Sequence, residues 1–270
     1  MSPHEQFQQE VKANIEALSR DKDMQALSRI WTREVSPYKW AYNFTWLGRP
    51  AIQFPNDAWA VQELVWAVKP DLIIETGIAH GGSLMFSASM LALLEMAEAA
   101  ETGQLLDPRK PQRRVLGLDI DIRAHNREAI EAHPMANRIT MIQGSSIAPE
   151  VVAQVHAIAK QYKTVMVLLD SNHTHAHVLA ELQAYAPLVN KGSYCVVFDT
   201  LVEDMPPTLS GDRPWGPGDN PKTAVWKYLE LLKEKKHQGT DGTPLDFEID
   251  KMMDAKLQIS VAPDGYLHRL

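Results

Sequence analysis

Short apolar runs alternate with longer amphipathic stretches through the middle of the chain. Runs that suit strands buried on both faces lie at 72–74, 115–118, 139–143, 164–169 and 194–198. Between them, apolar residues recur at helical spacing over about 84–99, 125–133, 150–161 and from just after residue 173 to about 189. Two further strand-like runs lie at 247–249 and 257–262. Strands that alternate with helices predict an α/β fold with a doubly wound, mostly parallel sheet.

The N-terminal part predicts a helical and aromatic extension, residues 1–55, ahead of an α/β domain of residues 56–270. Residues 4–36 follow helical spacing with a break near 21–23, and these long helices lead us to expect a homo-oligomer. Residues 37–55 are dense in aromatic and turn residues, which suits either a loop that covers the substrate or a packed irregular cover. After them, Asn56 or Asp57 is predicted to N-cap a helix that runs to Val68.

A loop over residues 203–222 is rich in Pro, Gly and Asp. Loops of this length inside a compact domain are usually functional or disordered. The embedded Arg213 and Trp215 favour an ordered lid. Asn220 and Pro221 predict the start of the next helix, with Asn as its N-cap and Pro at its first position.

Charge and cysteine content narrow the classes of partner. The 270 residues carry a formal net charge of -7 without a block of Lys or Arg, so neither nucleic acid nor an anionic membrane is an expected partner. We expect no secretory signal and no apolar stretch long enough to span a bilayer. The single cysteine, Cys195, lies in an apolar run. It is expected to be a buried thiol, which fits a reducing cytoplasm.

A glycine-rich turn follows the strand-like run at 72–74. Glu75 ends the run, Gly77, Gly81 and Gly82 follow within the turn, and Ser83 opens the next helical pattern. The spacing is neither that of dinucleotide-binding turns nor that of a P-loop, since no Gly-Lys-Ser/Thr follows. A carboxylate here repels a pyrophosphate but accepts hydrogen bonds from an ammonium group. The turn therefore suits S-adenosylmethionine (SAM), and the alternative is a tight turn without a ligand.

Two further features extend the predicted cofactor site. Asp119 ends the second strand-like run, where an acid in nucleotide-binding α/β units commonly binds ribose hydroxyls. A simple helix-cap role is the alternative. Ser145 and Ser146 follow the third run and are candidates for contact with an adenine edge.

Acidic residues also end the fourth and fifth strand-like runs. Asp170 and Asp199 there are expected to converge on a hard divalent cation such as Mg²⁺. The cation would stabilise a substrate hydroxyl as its alkoxide, with His173 as the base. The start of the next helix is expected to lower the pKa of His173 and favour its neutral form. A rival set, Asp170 with His173 and His177 on one helix face, suits Zn²⁺.

Taken together, these motifs resemble the cephalosporin hydroxylase / rhamnosyl O-methyltransferase family of class I SAM-dependent methyltransferases. The resemblance covers roughly residues 40–270. The matching residues are Trp46-x-Gly48 with Pro50 and Gln53-x-Pro55, Lys69 to Gly77 with Gly81-Gly82-Ser83, Gly117 to Asp121, Leu169 to His173, Val197 to Thr200, and Arg213 to Gly216 with Asn220-Pro221-Lys222.

The resemblance implies a Rossmann-like fold with a seven-stranded, mostly parallel sheet and assigns roles to site residues. Glu75, Gly77 and Ser83 would hold the methionine end of SAM, and Asp119 the ribose. Relatives similar to catechol O-methyltransferase carry Mg²⁺ at positions that match Asp170 and Asp199. They have a basic lysine where this chain has His173, and an Asn or Asp metal ligand where it has Thr200. Either Thr200 would then be the third ligand, or Glu203 or Asp204 would reach the cation, or the site would bind the metal weakly.

The predicted function is SAM-dependent, metal-assisted O-methylation of a hydroxyl on a small molecule, a sugar or a specialised metabolite. Trp46, Arg213, Trp215 and Lys222 are candidates for the acceptor pocket. One alternative is a metal-dependent hydrolase or oxygenase that uses Asp170, His173 and His177, although no two-His-one-carboxylate triad for Fe(II) is visible. The other alternative is a SAM-binding protein without catalytic activity.

Overall fold

The computed structural model describes residues 1–234 and 237–270, and in these residues it forms a seven-stranded sheet with helices on both faces. The strands of the molecule are β1 Phe44–Trp46, β2 Arg49–Ala51, β3 Leu72–Thr76, β4 Arg114–Asp119, β5 Ile139–Gln143, β6 Val165–Leu169, β7 Tyr194–Val197, β8 Phe247–Ile249 and β9 Tyr266–Arg269. The helices are α1 Pro3–Arg20, α2 Lys22–Val35, α3 Pro55–Val68, α4 Gly82–Thr102, α5 Ala124–Glu131, α6 Pro149–Ala159, α7 His175–Tyr185, α8 Pro221–Glu234 and α9 Lys251–Leu257.

The strand order in the large sheet is β5-β4-β3-β6-β7-β9-β8. The first five strands in this order run parallel, and β9 lies antiparallel to both β7 and β8. Every residue of β3 and β6 is buried, as expected for central parallel strands that helices cover on both faces. The predicted doubly wound, mostly parallel fold is confirmed.

The C-terminal part departs from the predicted pattern. Residues 257–262 were expected to form a strand, but α9 ends at Leu257 and an irregular segment follows. Gln258 adopts a left-handed φ of 59°, which breaks the extended conformation that its neighbours favour. Val261 then packs against the sheet edge, and its carbonyl accepts a hydrogen bond from the backbone of Leu201. The prediction of a strand there was wrong.

The start of α3 also differs from expectation. The helix begins at Pro55, and neither Asn56 nor Asp57 is its N-cap. Asp57 is fully buried instead, and its carboxylate accepts hydrogen bonds from Ser260 Oγ, Val261 N and Tyr266 Oη. Its role is to attach the C-terminal segment to α3, because a buried carboxylate is stable only when it is hydrogen-bonded.

The N-terminal helices break where the sequence predicts. The Asp21 side chain accepts from Met24 N at the start of α2. Helix α1 contacts α9 but has no buried residue. The aromatic stretch after α2 forms two short 3₁₀ turns and the β1-β2 hairpin. Trp40 makes edge-on contacts with Trp31, Phe44 and Phe54, so this stretch is a packed cover.

Helix α4 is long and apolar enough by length and composition to cross a membrane, which the sequence analysis did not expect. Half of its most apolar window is buried inside the protein. Leu84, Leu91 and Leu94 face the sheet and are almost fully enclosed, and the Glu95 carboxylate lies 2.7 Å from Arg138. Helix α4 is thus a core helix of the α/β fold.

Candidate active site

The site lies at the carboxyl ends of the parallel strands, where β3 stands between β4 and β6. From β3 the chain continues to β4 and β5 on one side of the sheet, and it then crosses to β6 on the other side of β3. Open α/β sheets bind their ligands where the strand order reverses in this way. The turn after β3 needs its glycines for packing as well. Gly77 has a φ of 90°, and a Cβ there would collide with the carbonyl of Asp170. A Cβ on Gly82 would collide with Pro50 of the hairpin.

Glu75 is buried at the end of β3, with 3% of its surface exposed. In the described part of the chain its Oε1 has no hydrogen-bond partner. Burial raises the pKa of Glu75 to about 7, and the nearby hydroxyls of Ser87 and Ser83 oppose this rise. Glu75, Gly77 and Ser83 line one cavity together. An enclosed carboxylate with one oxygen left without a partner in the described chain fits the ammonium group of a SAM methionyl end.

Asp119 binds the glycine-rich turn itself. Its Oδ2 accepts from Ile78 N at 2.8 Å and from Ala79 N at 3.2 Å, and its Oδ1 accepts from Asp121 N at 3.0 Å. A second hollow beside it is lined by both acids together with Ala79, His80, Arg123 and Asn126. Asp119 therefore holds the turn in place, and ribose binding by Asp119 remains a prediction.

Ser145 and Ser146 lie beyond the end of β5. The Oγ of Ser146 is buried and lies 3.0 Å from His177 Nε2, and its carbonyl accepts a hydrogen bond from Tyr185 Oη. Ser146 is thus engaged within the protein, whereas Ser145 is half-buried. Contact of either residue with adenine remains a prediction.

Three side chains converge beyond the ends of β6 and β7. Asp170, His173 and Asp199 bring one ligand atom each to within 4.8 Å of one another, and His173 Nε2 lies 3.0 Å from Asp199 Oδ2. Two carboxylates and an imidazole are a donor set that fits a divalent cation. Asp199 adopts a left-handed φ of 55°, a conformation that is uncommon for non-glycine residues and is adopted more readily by Asp than by most.

The other candidate metal ligands face elsewhere. Thr200 is buried, and its Oγ1 donates to the carbonyl of Pro263 at 2.7 Å. Glu203 accepts from Gly218 N at 2.7 Å, and Asp204 lies 2.6 Å from Lys222 Nζ. In residues 1–234 and 237–270 the structure therefore places His173 beside the two aspartates, while Thr200, Glu203 and Asp204 have other partners. A metal-ligand role for Thr200 stays a prediction.

Electrostatics distinguish the three converging groups. Burial and the neighbouring Asp199 raise the pKa of Asp170 well above its usual range. Burial opposes ionisation of Asp199, but His173 and Arg213 outweigh it and lower the pKa of Asp199. Burial also opposes protonation of His173, but Asp199 and Asp170 raise its pKa to about 9. The expected neutral form of His173 was thus wrong for the metal-free protein, because the two carboxylates outweigh the helix start.

The rival zinc set does not assemble. His173 precedes α7, which begins at His175, so His173 and His177 do not share a helix face. His177 Nε2 lies 3.3 Å from Ser171 Oγ and 3.5 Å from Glu181 Oε1, and among the described residues it does not belong to the group of Asp170, His173 and Asp199. The hydrolase or oxygenase alternative required Asp170, His173 and His177 to form one ligand set, and the described residues do not form it.

The 203–222 loop is ordered against the metal side of the site. The ring of Trp215 meets His173 edge-on with centroids 4.9 Å apart, and the Arg213 guanidinium lies 5.7 Å from the Trp215 ring centroid. The Asn220 side chain accepts from Lys222 N at 2.9 Å, as expected for the predicted helix start. Lys222 is buried and pairs with Asp204, so it supports the loop.

Sequence reasoning missed several residues that line the cavity at Glu75, and two of them, Ser87 and Gln53, carry polar side chains with unpartnered atoms in the described chain. Ser87 lies one turn beyond Ser83 on α4, and Gln53 precedes α3. The Gln53-x-Pro55 motif had been noted only as part of the family resemblance. Helical spacing from Ser83 was the available signal for Ser87.

The fold, the glycine-rich turn with its buried acid, and the paired strand-end aspartates define a class I SAM-dependent methyltransferase. A family model described as Rhamnosyl O-methyltransferase/CmcI matches residues 38–270. The chain belongs to this family and is a SAM-dependent O-methyltransferase.

Curated relatives and a solved structure agree with this assignment. The chain is 28% identical over 242 residues to a Rhamnosyl O-methyltransferase of Mycobacterium tuberculosis, covering 86% of this chain and 83% of the relative. It is 29% identical over 243 residues to the Mycobacterium leprae protein of the same name, covering 86% and 88%. A solved structure of CmcI with Mg and SAM has a TM-score of 0.50 and 17% identity, covering 85% and 77%, which supports the fold.

Proposed function

We propose that the protein methylates a hydroxyl of a sugar-containing small molecule, with a divalent cation held by Asp170 and Asp199. The observation that carries this proposal is the convergence of two strand-end carboxylates and one imidazole beside the cavity of Glu75. Asp170 itself lines that cavity. A methyl donor anchored at Glu75 would thus lie next to the metal ligands, as in-line transfer between two bound groups requires.

Each protein group has a distinct part in this chemistry. When bound, SAM supplies an electrophilic methyl group, and a divalent cation supplies the positive charge that lowers the pKa of an acceptor hydroxyl. Asp170 and Asp199 would hold the cation, and in its absence burial and the neighbouring Asp199 keep the pKa of Asp170 well above its usual range. Asp199 is the main cause of the raised pKa of His173. With Asp199 committed to a cation, the pKa of His173 would fall, and the neutral imidazole could accept the hydroxyl proton.

A sugar acceptor is supported by the relatives' name and by the walls of the site. The curated relatives are named Rhamnosyl O-methyltransferase. The ring of Trp215 covers His173 beside the metal ligands, whereas Trp46 lines the cavity of Glu75. Indole rings stack well on the apolar face of a pyranose, and Arg213 beside Trp215 offers hydrogen-bond donors to hydroxyl groups.

A methyl-transfer assay on the whole chain tests this proposal. The protein is incubated with SAM, Mg²⁺ or Mn²⁺, and a panel of nucleotide-linked and lipid-linked deoxysugars, with and without chelator. We expect transfer to at least one sugar hydroxyl, lost in chelator and restored by added cation. Asp170→Asn, an isosteric change, is expected to abolish Mn²⁺ binding, while the affinity for S-adenosylhomocysteine (SAH) stays within a few-fold of the wild-type value. Full activity of this variant in chelator would overturn the metal role.

We also propose that the chain forms a homo-oligomer in the cytoplasm. The support for an oligomer is the set of large apolar side chains on the outer faces of α2 and α3: Leu27, Ile30, Trp59 and Trp66 are each about half exposed or more. Sedimentation of the purified full chain measures its mass, and a monomer at micromolar concentration would contradict the proposal.

A further inference from the structure

Three enclosed polar atoms near the site lack a hydrogen-bond partner within residues 1–234 and 237–270. They are Gln53 Oε1, Glu75 Oε1 and Ser87 Oγ, and all three residues line the same cavity. Buried polar atoms in proteins are nearly always paired, so a cluster of unpaired ones indicates a ligand. A carbonyl oxygen and a carboxylate oxygen only accept hydrogen bonds. The Ser87 hydroxyl is near enough to Glu75 to donate to its carboxylate, so the capacity left over is that of acceptors, and the group that completes the cluster is a donor.

The lining of the cavity also selects the charge of that donor. Its ionisable lining residues are Asp57, Glu75 and Asp170, and among the described lining residues there is no Lys, Arg or His. The remaining wall includes the aromatic rings of Trp46, Phe86 and Phe198. Carboxylates combined with aromatic faces favour a cation with several N–H donors. An alkylammonium group meets each of these conditions.

We propose that the side-chain carbonyl of Gln53 is a second ligand, with the Glu75 carboxylate, for the α-ammonium of SAM. This inference rests on the proposed function, since it names a residue for the cofactor of that reaction. Asp57 lines the same cavity, but its carboxylate already accepts hydrogen bonds from Ser260, Val261 and Tyr266. Asp170 also lines it but belongs to the metal-ligand group with His173 and Asp199, so Gln53 and Glu75 are left as the acceptors with free capacity.

Gln53 is held by a wall that is already built. Its backbone N–H donates to the Ala41 carbonyl at 3.2 Å. Earlier in the same wall, Arg49 donates to the His80 carbonyl at 2.7 Å, and Trp46 Nε1 donates to Ser89 Oγ at 2.9 Å. Since these contacts fix the hairpin against the glycine-rich turn and α4, little ordering free energy is lost on binding. The N-terminal cover is thus one wall of the cofactor site.

An amide suits this position better than a second free carboxylate would. Glu75 supplies one negative charge to match one ammonium, and burial already raises its pKa to about 7. A further carboxylate at residue 53 would add like-charge repulsion in the same enclosed space. Gln53 provides the acceptor without that repulsion.

Calorimetric titration of the full chain with two ligands tests the proposal. One ligand is S-adenosylhomocysteine (SAH), and the other is its analogue that lacks the α-amino group. For Gln53→Leu we expect SAH affinity to fall roughly 10- to 100-fold, the effect of one hydrogen bond to a charged group. Affinity for the analogue should stay within about two-fold of wild type. Gln8→Leu, on the exposed surface of α1, is the matched control and should change neither affinity.

The possible outcomes separate this proposal from the proposed function. An equal loss for both ligands would mean that Gln53 only packs the wall, and no loss for either would mean that it does not bind the cofactor. Both results overturn the inference, yet both leave wild-type SAH binding intact. Failure of the wild type to bind SAH would instead overturn the proposed function. If Gln53→Leu does not fold, judged by its thermal melt, Gln53→Met keeps the length of the side chain and serves instead.

Discussion

At the ends of β3 and β4 the two acidic side chains have separate surroundings, whereas at the ends of β6 and β7 they share one. Glu75 is enclosed, and its Oε1 has no hydrogen-bond partner in the described chain, whereas the Asp119 carboxylate accepts hydrogen bonds from backbone N–H groups of the turn. Asp170 and Asp199, by contrast, lie together with His173. We call these two regions the cofactor half and the metal half of the site.

The difference between the halves is a difference in what balances the buried negative charge. In the cofactor half, burial raises the pKa of Glu75 to about 7. Without a ligand, partial protonation of this carboxylate near neutral pH therefore reduces its buried charge. In the metal half, His173 supplies a positive charge, and the pKa values of Asp170 and Asp199 move in opposite directions. One half is thus prepared for a monovalent ammonium, and the other exchanges a proton for a divalent cation.

The largest effect is expected at His173, which tests the composition of the metal half. His173→Ala should lower turnover by roughly 10²- to 10⁴-fold, the usual range for loss of a general base. If His173 is the base, His173→Lys should restore part of the activity at alkaline pH, and Mn²⁺ affinity should change little. If His173 is a metal ligand, Mn²⁺ affinity should fall in both variants and lysine should not rescue. Turnover and Mn²⁺ titration measured on the same preparations decide between these roles.

The next effect is expected at Glu75, where binding and stability should move in opposite directions. Glu75→Gln should weaken SAH binding roughly 10- to 100-fold, because a charged acceptor for the ammonium is lost. It should also stabilise the unliganded protein at pH 8 by up to about 3 kcal/mol, since the wild type must ionise a buried acid there. Thermal melts and calorimetry measure both. A variant that is less stable than the wild type at pH 8 would contradict this account of the cofactor half.

Features of the fold that depend on neighbouring residues could be predicted from the sequence, whereas features that depend on residues distant in the chain could not. The β5 strand agrees with its sequence pattern at both ends, because a short apolar run between turn residues is a local signal. The role of Asp57 could not be predicted, since its three donors come from residues 260–266. The strand predicted at 257–262 failed because the backbone turns at Gln258 under tertiary constraints. Alternation of apolar residues does not reveal such constraints.

Within the site, strand-end acids were predictable because parallel strands bring their carboxyl ends to one rim. The convergence of Asp170 and Asp199 follows from β6 and β7 being neighbours. The charge on His173 was not predictable from its position before α7, since Asp199 lies on another strand end. Likewise, the use of Asp119 by the turn depends on Ile78 and Ala79 of a different strand–helix unit.

A smaller effect should separate Asp119 from its neighbour Asp121 within the cofactor half. Asp119→Ala leaves Ile78 N and Ala79 N without their acceptor, so it should destabilise the protein by roughly 1–3 kcal/mol and weaken SAH binding. Asp121→Ala removes an exposed carboxylate from the same hollow. It should leave the melting temperature unchanged, and any loss of SAH affinity would then report ribose contact. Equal melting temperatures for Asp119→Ala and wild type would contradict the turn-holding role.

The smallest effect is expected for the pair of His173 and Asp199 without ligand, and the pH dependence of stability compares the two halves most directly. The folded-state pKa of Glu75 is raised from 4.5 to about 7, so its ionisation lowers stability as pH rises through this window. The folded-state pKa of His173 is raised from 6.5 to about 9. The stability it contributes is fully present below pH 6.5 and is lost as pH rises through 9. Because 36% of the Asp199 side chain is exposed, we expect no more than about 2 kcal/mol from this pair.

Melting curves of wild type, Glu75→Gln and His173→Gln from pH 4 to pH 10 should therefore differ in separate windows. The Glu75→Gln variant should gain on wild type between pH 4.5 and 7, and the deficit of His173→Gln should close between pH 6.5 and 9. Excess Mg²⁺ should remove the second window but not the first, because the cation takes the place of the proton beside Asp199. A single shared window for both variants would mean that the two halves titrate as one unit.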